Sequence, residues 1–290
     1  MAVANTYKQF STWCLRAINT CASVLKVLVM SKSATPQLRA DGDKLLVLGT
    51  GPSLKTSLKK NPEYFRNHTL LAVNTFSLSD EFVALKPRYY VMVDPGLWLS
   101  DNETVQRTMQ HLRERTTWPM QLVIPHDAYA SHYISEMQRS NANIQITYVN
   151  YVVFKGFENL AFYFYRKGWA MPQCQNVLVA ALFVAVNLGY RRIELFGADH
   201  NWHQQLAVDA NNQVCMKHIH FFEDEEQLRL VPLWKVIHKK EVFRMDEIFH
   251  AWAKVFAGHM QMERYARSRE ATIVNRSEVT FIDAFEQEKF

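Results

Sequence analysis

Hydrophobic residues recur along this chain in two rhythms, and the alternation between them predicts the fold. Short, nearly continuous apolar runs at 45–48, 70–73, 89–93, 121–124, 145–149 and 193–196 read as strands covered on both faces. Helical stretches separate most of them. Strand and helix in turn predict an α/β fold, a mostly parallel sheet with helices on both faces. Near the C-terminus, Ile248, Trp252, Val255, Phe256, Met260 and Tyr265 mark the packed face of a helix over 246–267. A strand at 272–274 on the sheet edge and a terminal helix from about Val279 are expected to follow.

The start of the chain follows another pattern. Phe10, Cys14, Ala17, Ile18, Cys21, Val24, Leu25 and Leu28 recur at helical spacing, while Arg16, Asn19, Ser23 and Lys26 line a second face. This is an amphipathic helix with basic residues on its polar side. Charge interrupts it too often for a membrane span, and no small-residue cleavage site marks a signal peptide. Such a helix packs on the domain or on a second copy in a homo-oligomer, or lies peripherally on the inner face of a membrane. With the polar stretch 31–43 as linker, the chain divides into 1–38, helix and linker, and 39–290, a single domain.

Composition narrows the picture. With 290 residues, 48% hydrophobic and 21% charged, the chain is globular and long enough for a sizeable core. A net charge of +5 without basic runs interleaved with aromatics argues against nucleic acid, and suits an anionic ligand or membrane surface. Cys14, Cys21, Cys174 and Cys215 have neither CxxC nor zinc spacing, which predicts reduced thiols in a cytoplasmic protein.

Ligands of parallel sheets bind at the carboxyl ends of the strands, so the residues just after each strand carry the chemistry. Here these are Gly49-Thr50-Gly51, Asn74-Thr75, Asp94-Pro95 and Gly197-Ala198-Asp199-His200. Gly49 and Gly51 let the backbone turn sharply and approach a ligand. Pro52 and Ser53 then open a helix, whose unpaired N–H groups favour phosphate.

In their order, GTGPSLK, VNTF, VMVDP and LGYRRIELFGADHNW resemble the motifs of the bacterial lipooligosaccharide sialyltransferases of glycosyltransferase family 42. They resemble equally the wider group of proteins with a pterin diphosphokinase-like domain. The resemblance implies a Rossmann-like, glycosyltransferase-A-like domain over 39–290 with an inserted lid. It places Gly49, Gly51 and Ser53 on the donor phosphate, Asn74 on the nucleotide and Asp199 at the acidic position after the late strand. Thr50 and Asp94 stand where that family has asparagine; both keep a hydrogen-bonding group, and the Asp94 carboxylate would repel a phosphate. Asn176 replaces a small residue at the start of a helix that faces the ligand, and it also suits an N-cap. Asn275 and Ser277, at another strand end, are within reach of the nucleotide, with Ser277 suited to cap the terminal helix.

The stretch 200–240 lacks periodicity and is rich in histidine and aromatics, which reads as an active-site lid. Histidine suits proton abstraction from a sugar hydroxyl near neutral pH, and the candidates are His200, His203, His218, His220 and His238. His220 ranks first, and His238, just before the C-terminal helix, second. Asp199, His200, His203, His218 and His220 match no familiar metal spacing, no DxD motif sits at a strand end, and the related sialyltransferases work without an essential metal. The expectation is therefore an inverting, metal-independent and cofactor-free transferase. It takes a CMP-activated acidic sugar as donor and a bacterial surface glycan as acceptor. The alternative is another nucleotide-dependent enzyme on this scaffold, such as a diphosphokinase, or a nucleotide-binding protein without catalysis.

Overall fold

The computed structural model describes residues 2–32, 40–217, 230–236 and 241–290. Its strands are β1 (Lys44–Leu48), β2 (Thr69–Val73), β3 (Tyr89–Val91), β4 (Met120–Pro125), β5 (Ile144–Val149), β6 (Arg192–Phe196), β7 (Leu206–Val208), β8 (Val214–Lys217), β9 (Leu230–Pro232), β10 (Trp234–Val236), β11 (Glu241–Val242), β12 (Thr272–Asn275) and β13 (Glu286–Gln287). Its α-helices are α1 (Ala2–Met30), α2 (Ser53–Lys60), α3 (Pro62–Arg66), α4 (Glu81–Leu85), α5 (Gly96–Leu99), α6 (Glu103–Arg115), α7 (His132–Ser140), α8 (Glu158–Arg166), α9 (Val177–Leu188) and α10 (Met245–Ser268).

An eight-stranded sheet runs in the order β13-β12-β6-β1-β2-β3-β4-β5, with every pairing parallel. Side chains alternate across it, so each strand feeds two cores. Leu45 and Val47 join Leu71, Val73 and the residues of α9 on one face. Leu46 and Leu48 join Leu54, Phe65 and Phe196 on the other. α9 needs no polar face, because ten of its residues are buried. Gly189, at φ 100° in the left-handed region, ends it.

Within β6, Glu194 is fully buried between Lys44, Arg192 and Arg276, and accepts the Tyr64 hydroxyl at 2.6 Å. Burial pushes its carboxyl up, but the Tyr64 bond and the three cations outweigh that and hold it below the usual range.

Three expectations are corrected. The lid stretch contains a small antiparallel sheet, β7-β8-β9, whose strands are too short to show a period in the sequence. No helix forms from Val279; β13 pairs with β12 instead, the Thr280 hydroxyl donates to Ala198 O at 2.8 Å, and Phe281 N–H donates to Asp199 O at 2.9 Å. These bonds tie the stretch to the β6 loop, and the pairing of β13 with β12 keeps the chain that follows extended. On α10, Met260 is exposed, and His259 and Met262 hold the packed positions.

α1 follows its sequence pattern only in part: Arg16, Asn19 and Lys26 are exposed and Val24 packs on the core, but other positions are reversed. Ser23, expected on the polar face, points inward and bonds Lys155 O at 2.9 Å, while Thr20 accepts the Phe157 N–H at 2.9 Å. Phe10, Ile18, Leu25 and Leu28 are exposed. The seam is narrow, with Thr20 and Ser23 docked on the backbone of 155–157, where Gly156 leaves room for Thr20, and with Val24 and Val27 packed on the main core. The helix over 9–30 has the length and composition to cross a membrane, which the charge argument had discounted.

Candidate functional site

The strand order reverses between β6 and β1, each of which is followed in sequence by chain that leaves to a different side. A crevice opens at the carboxyl ends of such a pair. Two short loops meet there. Gly49 N–H donates to Phe196 O at 2.8 Å and Gly51 N–H to Gly197 O at 2.9 Å, which welds the β1 turn to the β6 turn. A Cβ on Gly51 would come within 2.7 Å of both Gly197 O and an Asp199 carboxylate oxygen. The glycines are thus required by the approach of one loop to the other.

Asp199 completes the junction. Its Oδ2 accepts Ser53 N–H at 3.0 Å, and its Oδ1 accepts the Ser53 hydroxyl. A carboxylate of the protein itself therefore caps α2, where free N–H groups had been expected to meet a phosphate. Burial raises the Asp199 carboxyl above the usual range, against the opposing effect of the two Ser53 bonds.

Beside this junction lies a cavity of about 310 Å³, in the range of small-molecule sites. Of the expected site residues, Thr50, Gly51, Asn74, Asn176 and Asp199 line it. Gly49 and Ser53 stand behind it in the welded turn. Asp94 does not reach it; it is exposed and accepts Gly96 N–H at 2.9 Å at the start of α5. Asn275 is also absent from its lining, being fully buried and engaged with Thr280 Oγ1 at 2.9 Å and Ser277 N–H at 3.0 Å. Ser277 in turn caps no helix terminus; its hydroxyl oxygen accepts Ala198 N–H from the β6 loop at 2.8 Å. His220 and His238 lie outside the described residues.

Asn74 is the most unusual residue of the lining. Its φ of 49° is left-handed, a conformation that asparagine tolerates and most residues do not. The Tyr90 hydroxyl holds it there by donating to Asn74 O at 2.6 Å. Its side-chain Oδ1 is buried and has no hydrogen-bond partner. A strained backbone that presents a stranded acceptor is a pattern of ligand sites. Across the cavity, Asn176 caps α9 through Leu178 N–H at 2.8 Å, and the first turn of α9 forms part of the wall. Lys217, exposed at the end of β8, adds a cation.

His200 lines the cavity and also has a left-handed φ, 52°. Its Nε2 lies 3.0 Å from Nε2 of His259, and its ring packs against Trp202 with centroids 4.3 Å apart. Burial holds His200 down to about 3, and burial followed by the neighbouring His200 holds His259 well below its ordinary value. Both rings are neutral at pH 7. His203 instead packs on Phe281, 4.4 Å between centroids, and does not line the cavity. Among the described residues, no group of three or more His, Cys, Asp or Glu is arranged to hold a metal.

Sequence reasoning missed His259, Trp202, Gln205, Met216 and Lys217. For His259 a signal existed, since it falls on the packed face of α10 between Val255 and Met262. For the others the strands β7 and β8 were needed.

No protein-family model matches this chain, and no curated protein is detectably similar to it. Among solved structures it is similar to the MAf glycosyltransferase from Magnetospirillum magneticum AMB-1, at 11% identity and a TM-score of 0.49. The alignment covers 93% of this chain and 37% of that one.

Proposed function

We propose that this cavity binds the nucleotide of an activated sugar and that the chain is an inverting glycosyltransferase. The observation that carries this reading is Asn74, a residue of the cavity lining with a strained backbone and a buried, unpartnered Oδ1, at the point where the strand order reverses. A stranded acceptor asks for a ligand donor, such as a base amino group or a ribose hydroxyl. The first turn of α9 and Lys217 supply positive potential for the phosphate. The order of the four motifs favours a CMP-activated acidic sugar as donor and a bacterial surface glycan as acceptor, without metal or cofactor. In the reaction, a base takes the acceptor hydroxyl proton and that oxygen bonds to the anomeric carbon. The bond from that carbon to the phosphate oxygen breaks, and its electron pair leaves with the phosphate. His220 is assigned the base, with His238 second. His200, held to about 3, is a poor proton acceptor at pH 7.

Thermal-shift measurements against CMP, UDP, GDP and ATP, each with and without Mg²⁺, test this. CMP at a hundred times its Kd should stabilise the fold by about 2.7 kcal/mol, without Mg²⁺. Asn74→Gly keeps the left-handed backbone while removing the amide, so it should abolish the shift and leave the unliganded fold intact. Stabilisation by no nucleotide, or an equal shift in Asn74→Gly, overturns the reading.

The reading extends to location. Residues 1–40 carry five Lys or Arg and no Asp or Glu, and the outward face of α1 is apolar. These features suit peripheral binding to an anionic inner-membrane face. Sedimentation with phosphatidylglycerol vesicles should capture the full chain at low salt, and Leu25→Ser/Leu28→Ser should weaken capture about tenfold or more. Equal recovery with neutral vesicles, or none with either, removes the membrane from the proposal.

A further inference from the structure

We infer that His259 fixes the tautomer of His200, so that the pair presents an Nδ1–H donor to an anionic oxygen of the ligand in the cavity. The ligand half of this rests on the nucleotide reading; the tautomer half does not. His259 is a positioning residue and His200 a binding residue.

The geometry leaves two arrangements. Two neutral rings share one hydrogen bond, Nε2 to Nε2 at 3.0 Å, so one ring donates and the other accepts. If His200 donated, His259 would accept at Nε2 and carry its own proton on Nδ1. That Nδ1 is buried and has no hydrogen-bond partner, so the arrangement strands an N–H inside the protein. If His259 donates, its Nδ1 is only a bare buried lone pair, in a ring that packs edge to face on Phe285 with centroids 5.6 Å apart. Orphaned N–H groups are the rarer and costlier of the two. The second arrangement therefore holds. It leaves His200 accepting at Nε2 and protonated at Nδ1, the nitrogen that remains for the cavity His200 lines.

Two further features hold that nitrogen in place. Trp202 covers the imidazole face, and the left-handed backbone at His200 is a conformation in which glycine would serve a plain loop better. A histidine kept at such a position directs its side chain. The adjacent Asp199 carboxylate is turned to Ser53, which bonds both of its oxygens, and makes no hydrogen bond to the His200 ring. The oxygen this donor suits is phosphoryl or carboxylate, as on a sugar phosphate or an acidic sugar.

The test is the nitrogen-15 spectrum of the imidazoles in the full-length protein near pH 7.5, which separates protonated from bare ring nitrogens. The expected pattern is Nδ1 protonated and Nε2 bare in His200, and the reverse in His259. The opposite pattern overturns the inference, whether or not any nucleotide binds. His259→Gln keeps an N–H near the same place; it should preserve the His200 tautomer and the Kd for CMP within about twofold. His259→Met should lose the tautomer preference and weaken CMP about tenfold, the value of one hydrogen bond to a charged group. Equal Kd for the Met and Gln variants overturns the positioning role. The expected tautomer with no CMP binding overturns only the nucleotide reading. Stoichiometric Zn²⁺ that shifts both Nε2 signals would show a metal pair in place of the hydrogen bond.

Discussion

Two helices begin at the wall of one cavity, and they settle their unpaired N–H groups in opposite ways. α2 is capped by Asp199, a full charge delivered from the next loop and welded in by Ser53. α9 is capped by its own Asn176, a neutral side chain, and its first turn still faces the cavity. The glycine-bounded turn before α2 carries the stronger sequence signal for phosphate, yet its anion is internal. The plainer start of α9 is the end left for a ligand. A phosphate signal in sequence thus reports that a helix end needs an anion, and leaves open which anion supplies it.

Gly49→Ala would break this contrast most severely. The added Cβ would run into Gly197 O, a backbone atom held by the sheet, so the weld between the two loops has to open. Urea unfolding should show a loss of at least about 3 kcal/mol, and nucleotide binding should go with it. A variant as stable as the parent would mean that the two turns are not rigidly joined.

Asp199→Asn sharpens the contrast with a smaller effect. Asparagine is nearly as good a cap, so stability should fall by no more than about 1 kcal/mol. The pH dependence carries more information. Burial raises the Asp199 carboxyl in the folded state, so its contribution to stability is complete below the unfolded carboxyl value and is lost as pH rises through the folded one. Relative to the variant, the parent should therefore be most stable at the acid end of a series of urea melts and lose ground toward neutrality. A parent that gains on the variant as pH rises would show that the Ser53 bonds, not burial, govern this carboxylate.

Much of the fold was legible because it rests on apolar runs. Leu45 to Leu48 and Ile193 to Phe196 are strands in any context that covers both faces, and the structure places them side by side. The stretch from Val279 was misread as a helix for the opposite reason: the partners that hold it otherwise, Ala198 O and Asp199 O, lie on a loop distant in sequence. The same holds for Asn275, a strand-end asparagine that reads as a ligand residue until Thr280 and Ser277 are seen beside it. Asn74 was legible as a strand-end side chain, though its stranded oxygen appears only once Tyr90 pins its backbone. Polar side chains find partners through space, and local pattern does not record them.

The neighbour relations of the sheet also set a timetable for assembly. β1 to β5 pair in chain order, each with the strand made just before it, so their contacts form at small loop-closure cost. β6 enters beside β1, with Arg192 opposite Lys44, after most of the chain has been synthesised. Until then one edge of β1 carries a row of open backbone groups and Gly49 and Gly51 have no loop to meet. The cavity, which needs Asp199 from the β6 loop, is consequently among the last features a nascent chain acquires. A translation arrest before residue 192 would leave five of the eight strands, with an adhesive edge on β1 and no site.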